Sequence, residues 1–225
     1  MLNTQYRMHP DIQKAINQFY RDEKNNEGLK CGLKNPDLEK CHQIQHKTFH
    51  KKHLVWLKTK KSDEESQHKG SSSFFNESEI KRIKTTLDFL NKSYEKIEKK
   101  PSVGVITFYG SQLSELTSLE KKGFWRLPRE DRNYPHLDIR FGTVDRFQGQ
   151  EKDIIIVSLV RNNKRHEVGF AKKPHRINVA FSRARNLLII VGNPDNFRFG
   201  NNEKSAQQYD EIFNIAKKFG SVKGE

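Results

Sequence analysis

Residues 142–161 read GTVDRFQGQEKDIIIVSLVR, and residues 176–193 read RINVAFSRARNLLIIVGN. Each segment holds one short apolar run, Ile154–Val160 and Leu187–Val191, rich in β-branched residues and continuous rather than alternating. Such runs suit strands covered on both faces, as in a parallel sheet flanked by helices. Polar residues crowd the approaches to both runs: Thr143, Asp145, Gln148, Gly149 and Glu151 before the first, Asn178, Ser182, Arg183 and Arg185 before the second. In open α/β sheets ligands bind where strands meet loops. An arginine-rich, glycine-containing rim on an apolar sheet therefore reads as a site for a phosphate-bearing ligand.

Outward from that stretch the pattern repeats. Pro10 and Asp11 open a helix striped by Ile12, Ala15, Ile16 and Phe19. Leu54–Leu57 is a short apolar strand. Asn76, followed three residues later by Glu79, has the form of a capping box for a helix over 77–92 bearing Ile80, Ile83, Leu87 and Leu90. Val103–Ile106 predicts the next strand, with Thr107 at its end and Tyr109 just beyond. A helix with Leu113, Leu116 and Leu119 follows, then a basic aromatic loop over 121–137 containing Trp125, then a strand at Ile139–Phe141. A helix near 205–218 closes the chain. Strands alternating with helices specify an α/β fold with a mainly parallel sheet and helices on both faces, in one domain over 1–225. Residues 21–53 are expected to be irregular, and the charged, Ser/Gly-rich stretch within 58–76 reads as a flexible insertion.

Composition narrows the function. The chain of 225 residues has 42 Lys+Arg against 28 Asp+Glu, a net charge of +14, which is an electrostatic footprint suited to nucleic acid. No apolar run is long enough to span a membrane and no signal peptide is visible, and two cysteines fit a reducing compartment. The expected location is cytoplasmic, or nuclear in a eukaryote, with no membrane partner. Cys31, Cys41, His42, His46, His50 and His53 match no zinc-ligand spacing and read as loop residues, so no metal site is expected. No GxxxxGK[ST] loop and no strand ending in paired acids is present, so the chain alone is not expected to hydrolyse a nucleoside triphosphate. Suitably spaced acids for a nuclease are missing too. The abrupt start, with no lead-in strand, suggests a piece of something longer.

Four blocks in order carry a resemblance: Gln5-Tyr6-Arg7-Met8-His9-Pro10; Val105-Ile106-Thr107 with Tyr109; Thr143 to Asp153; and Arg176 to Arg185. Together they resemble the C-terminal motor domain of superfamily 1 helicases, in the branch of the nonsense-mediated-decay helicases, senataxin and their bacterial relatives. The resemblance covers nearly the whole chain. It implies a three-layer RecA-like fold and the second motor domain of an ATP-dependent helicase or translocase acting on single-stranded DNA or RNA. ATP with Mg²⁺ would be held mainly by an N-terminal RecA-like domain of the same parent protein. Under it, Arg7 and Arg183 are the catalytic arginine fingers, and Gln5, Gln148, Gly149 and Glu151 are nucleotide-binding. Thr107, Tyr109 and Thr143 contact nucleic acid. The family usually has proline after Thr107, where this chain has Phe108. Simpler readings stand beside these: Arg7 capping the next helix or pairing with Asp11, Glu151 pairing with Lys152 or Arg146, Thr143 as a strand former, Phe147 as a core residue. Arg183 and Arg185, two apart in a helix, would point different ways, so only Arg183 is expected to face the cleft. The alternative function is a stand-alone nucleic-acid-binding RecA-like domain without catalysis.

Overall fold

A computed structural model describes residues 3–22, 27–121 and 134–224. Trp125 and most of the expected loop at 121–137 lie outside the described residues, as does the side chain of Leu119. The strands are β1 (Thr4–Gln5), β2 (Lys30–Cys31), β3 (Leu54–Leu57), β4 (Ser66–Gln67), β5 (Phe74–Phe75), β6 (Ser102–Thr107), β7 (Asp138–Thr143), β8 (Lys152–Ser158), β9 (Ala184–Val191) and β10 (Ser221–Lys223). The helices are α1 (Pro10–Ile16), α2 (Pro36–Glu39), α3 (Glu77–Glu95), α4 (Gly110–Lys121), α5 (Pro174–Phe181), α6 (Pro194–Arg198) and α7 (Glu203–Lys218).

Six strands form one sheet in the order β10-β3-β9-β8-β6-β7, every neighbouring pair parallel. The continuous apolar runs are explained by the layers. Along β8, Ile155 and Val157 face one core with Ile12, Ile16, Ile177, Phe181, Tyr209 and Ile212, from α1, α5 and α7. Ile154 and Ile156 face the other, with Ile80, Ile83, Leu87 and Leu90 of α3 and Leu116 of α4. Alternate side chains thus enter opposite layers, and both layers are apolar. This is the three-layer α/β arrangement expected for a RecA-like domain.

Two glycines shape the link between β7 and β8. Only residues 144–151 separate these strands, and β6 lies between them. The link is a 3-10 turn, Val144–Phe147, whose Phe147 ring is pressed flat over β6 and β7. A Cβ on Gly104 would stand 2.7 Å from Phe147 Cε1, and one on Gly142 would stand 2.8 Å from Phe147 Cε2. Glycine at both positions lets a very short crossover hug the sheet. Phe147 is fully buried, in agreement with the core reading.

Three details differ from expectation. The capping box at α3 forms only by half: Asn76 Oδ1 accepts from Glu79 N at 3.1 Å, but the Glu79 carboxylate turns inward, away from solvent. Asn76 N donates instead to Gln112 Oε1 of α4 at 2.8 Å. The stretch over 58–76, which composition suggested as a flexible insertion, is tied to the body: Glu65 pairs with the buried Arg161 at 2.9 Å, and Phe74 lies under the Arg161 guanidinium at 4.1 Å. The β4–β5 pair closes this stretch as a two-stranded antiparallel ribbon. The irregular region 21–53 contains β2, paired with β1, and the short α2.

Candidate functional site

In a parallel sheet all strands start at one edge and finish at the other, and the predicted residues divide between the two. Glu151 immediately precedes β8 and Arg183 immediately precedes β9, so both stand at the amino edge. Arg7 is brought there by the backbone: His9 N donates to Arg185 O at 3.0 Å, stitching the segment before α1 to the start of β9. Gln5 shapes the same segment. Its Oε1 accepts from Arg7 N and Met8 N, each at 2.9 Å, and its Nε2 donates to Met8 O and Gln13 Oε1. Its side-chain amide is engaged in holding the turn that presents Arg7, so the structure gives it a supporting position behind that arginine.

The cationic cluster itself comprises three arginines around one carboxylate. Arg7 Nε lies against Glu151 Oε1, and Arg185 Nε lies 3.2 Å from Glu151 Oε2. Burial pushes the Glu151 carboxyl up, but Arg7 and Arg185 outweigh it and hold the group below its ordinary value. Arg183 has a different environment. Its Nε donates to Val179 O at 3.1 Å and its Nη2 to Ser182 Oγ at 2.8 Å, with no carboxylate in ion-pair contact among the described residues. Burial and then the nearby charge of Arg7 lower its pKa, so the two guanidinium groups are close enough to repel. Arg7 neither caps α1 nor pairs with Asp11: the His9 ring caps the helix, and Asp11 pairs with Lys14 at 2.8 Å. Glu151 pairs with Arg7 and Arg185 rather than with Lys152 or Arg146.

Both Arg183 and Arg185 reach this cluster, against the expectation that only one would. The reason is local geometry. α5 ends at Phe181 and β9 begins at Ala184, so the two arginines straddle a helix-to-strand change and helical spacing does not apply. Gln148 and Gly149 are exposed on the short crossover, and Gly149 adopts φ +78°, a left-handed conformation natural to glycine. Tyr6, one residue before Arg7, is 64% exposed. Tyr6 was given no role from sequence, and Arg185 was expected to point away from the cleft. The exposed aromatic beside a predicted finger was the available signal for the first.

At the carboxyl edge, Thr143, Thr107 and Ser158 form a row across β7, β6 and β8. Thr107 is 0% exposed, and its Oγ1 accepts from Tyr109 N at 3.4 Å. Tyr109 is 2% exposed, and its hydroxyl accepts from Phe170 N at 3.1 Å. Phe108 is buried as well. Of the three residues expected to contact nucleic acid, only the side chain of Thr143 opens to solvent here, in a cleft it shares with Gly110, Leu113 and Arg146.

Beneath that row lies a buried polar network absent from the sequence reading. Ser158 Oγ donates to Glu79 Oε2 at 2.6 Å and accepts from Gln112 Nε2 at 2.8 Å. Glu79 Oε1 accepts from Val160 N at 2.8 Å, and Asn76 Nδ2 donates to Val160 O at 3.2 Å. Val160 is held between them at φ +71°, an unfavourable conformation for a β-branched residue. Burial pushes the Glu79 carboxyl up to about 8.

Among the described residues, His9, Asp37 and His53 bring potential metal-ligand atoms within 4.8 Å of one another. The His9 and His53 rings, however, stack 3.4 Å apart and 13° from parallel. An imidazole binds metal in its ring plane, so as they stand the two rings share no point at which both could ligate one ion. No helix among the described residues is long and apolar enough to cross a membrane.

Comparison with known proteins adds the following. A family model described as an AAA domain matches residues 1–195. Helicase sen1 of Schizosaccharomyces pombe is 32% identical over 200 residues, covering 88% of this chain and 11% of its own length. Regulator of nonsense transcripts 1 homolog of Drosophila melanogaster is 33% identical over 201 residues, covering 86% and 15%. DNA polymerase alpha-associated DNA helicase A of Saccharomyces cerevisiae is 39% identical over 145 residues, covering 62% and 19%. The chain thus spans less than a fifth of each of these relatives. A solved C-terminal domain of a possible DNA helicase from Lactobacillus plantarum WCFS1 overlays 84% of this chain and 87% of its own at TM-score 0.44 and 16% identity, too loosely to argue from.

Proposed function

Because this chain belongs to the AAA-domain family, with helicases among its relatives, we propose that it is the second motor domain of an ATP-driven helicase or translocase. Its amino edge completes a nucleotide site whose phosphate loop lies on a neighbouring RecA-like domain. The observation that carries this reading is the excess of cationic charge at one place: Arg7, Arg183 and Arg185 gather beside Glu151, and Arg183 has no carboxylate in ion-pair contact among the described residues. A half-buried guanidinium with no carboxylate in ion-pair contact is poised for an anion brought from outside.

In this reading Arg7 and Arg183 act on the γ-phosphate of ATP, which the other domain holds with Mg²⁺. Each stabilises negative charge that grows in the transition state. Glu151 holds Arg7 and Arg185 in place while the cleft is open, then releases Arg7 to the phosphate as the cleft closes and turns to the nucleotide ribose. Gln5 sets the Arg7 turn, Tyr6 offers a ring face to the base, and Gln148 and Gly149 border the nucleotide on the crossover. That crossover runs directly from Thr143, so nucleotide closure at one edge is coupled to the nucleic-acid contact at the other.

The test is Arg183→Ala in the two-domain parent. ATP hydrolysis is expected to fall about a thousandfold or more, with single-strand affinity nearly unchanged. Unaltered turnover would remove the finger assignment.

A further inference from the structure

The burial of Thr107 and Tyr109 leaves open which residue meets the bases at the carboxyl edge. Four large hydrophobic side chains are exposed among the described residues: Tyr6, Leu38, Phe170 and Phe199. Of these, Phe170 stands against Tyr109. It is 52% exposed and sits on the turn that precedes α5. Its ring lies 5.4 Å from that of Tyr109 and 5.7 Å from the Arg176 guanidinium. Arg176 in turn pairs at 2.7 Å with Asp145, two residues beyond Thr143. These contacts place Phe170 on the same rim as the Thr143 cleft.

We propose that Phe170 is the base-stacking residue of the nucleic-acid path along this edge; the proposal rests on the motor-domain reading above. Three observations support it. First, the ring is held ready. Phe170 N donates to the buried Tyr109 hydroxyl, and Gly169, at φ +60°, passes so close that a Cβ there would collide with Tyr109 Oη. An aromatic fixed by its backbone yet left half in solvent loses little entropy on stacking. Second, the flanking charges suit a phosphate backbone. Lys164, Arg165, Lys172, Lys173 and His175 are exposed on the same segment, and its one acid, Glu167, is taken by Arg161 at 3.1 Å. Third, aromatic stacking is indifferent to base identity, as a translocating motor requires.

The ring also explains how the deeper residues matter. Tyr109 supports Phe170 from below. Arg161, next to the strained Val160, lies against Tyr109 and pairs with Glu65 and Glu167. Tyr109 is therefore a positioning residue in this account, and its predicted contact with nucleic acid is indirect.

The experiment compares the 225-residue chain with its Phe170→Ala and Phe170→Trp variants. Each is titrated by fluorescence anisotropy against a labelled oligothymidylate of about 15 nucleotides, within the usual site size, and against an abasic strand of the same length. On oligothymidylate, Phe170→Ala should weaken binding about 5- to 150-fold, while Phe170→Trp retains affinity and its indole emission is quenched. On the abasic strand, Phe170→Ala and the parent chain should bind alike. Thermal melts of the variants confirm the fold. Equal affinity of Phe170→Ala and parent for oligothymidylate overturns the stacking assignment and leaves the motor reading intact. Equal losses on both strands also overturn it, and would point to Phe170 supporting the loop or a protein contact. Failure of the parent chain to bind either strand would count against the motor reading itself.

Discussion

Glu79 shows how one residue can be misread when its neighbours in space are unknown. Asn76 and Glu79 have capping-box spacing, and such a glutamate ordinarily reaches back along its own helix. Here it is fully buried against Ser158 and Val160. Its carboxyl, pushed up to about 8 by burial, is protonated in the fold at neutral pH but ionised in the unfolded chain. Between its ordinary value and about 8 the native state binds the extra proton, so this contribution to stability is complete at acid pH and is lost as pH rises through that window. Urea denaturation should show a stability falling from about pH 5 to about pH 8 and levelling above it, and Glu79→Gln should flatten that slope. A variant retaining the full slope would show that another group is responsible. At the same scale, Arg7, Arg183 and Glu151 were candidates because they stand in recognisable blocks, and the fold brings them to one edge. Their pairing was not readable from the sequence. Which arginine meets Glu151 depends on the stitch between His9 and Arg185, and that contact joins positions 176 residues apart in sequence. Depth is equally hidden: Thr107 and Tyr109 occupy the expected positions on the chain, yet both are buried, Tyr109 against the turn at Gly169 and Phe170.

The elements were legible where the physics is one-dimensional. β8 and β9 declare themselves by unbroken apolar runs, since both faces of the sheet are packed. α3 and α7 declare themselves by helical stripes, and α3 also by its asparagine cap, Asn76. Less legible was the stretch around β4 and β5, because its order depends on Glu65 and Phe74 meeting Arg161 nearly a hundred residues later. The crossover after β7 depends on small residues in two different strands. Gly104→Ala should therefore destabilise the protein by about 1–3 kcal/mol, because its new methyl would meet Ile155 Cδ1 at 2.6 Å and the Phe147 ring at 2.7 Å. Chemical denaturation measures this directly. An unchanged midpoint would mean that the Phe147 ring has room to retreat.

For the whole molecule, the net charge of +14 makes a prediction independent of any single side chain. If single strands are held largely through phosphates, affinity must fall with salt. Engagement of about four phosphates gives a log–log slope near −3 and a loss of about 50-fold between 50 and 200 mM monovalent salt. Binding that ignores ionic strength would contradict an electrostatic role for the excess lysines and arginines.

β8 begins one residue after Glu151 and ends at Ser158, in the hydroxyl row with Thr107 and Thr143. Seven residues of parallel strand, the last five buried, make a stiff strut about 20 Å long. Like any lever of that length, it converts angle into travel. A tilt of about ten degrees at the arginine end displaces the opposite tip by about 3.5 Å, close to the roughly 3.4 Å rise of one nucleotide along a strand.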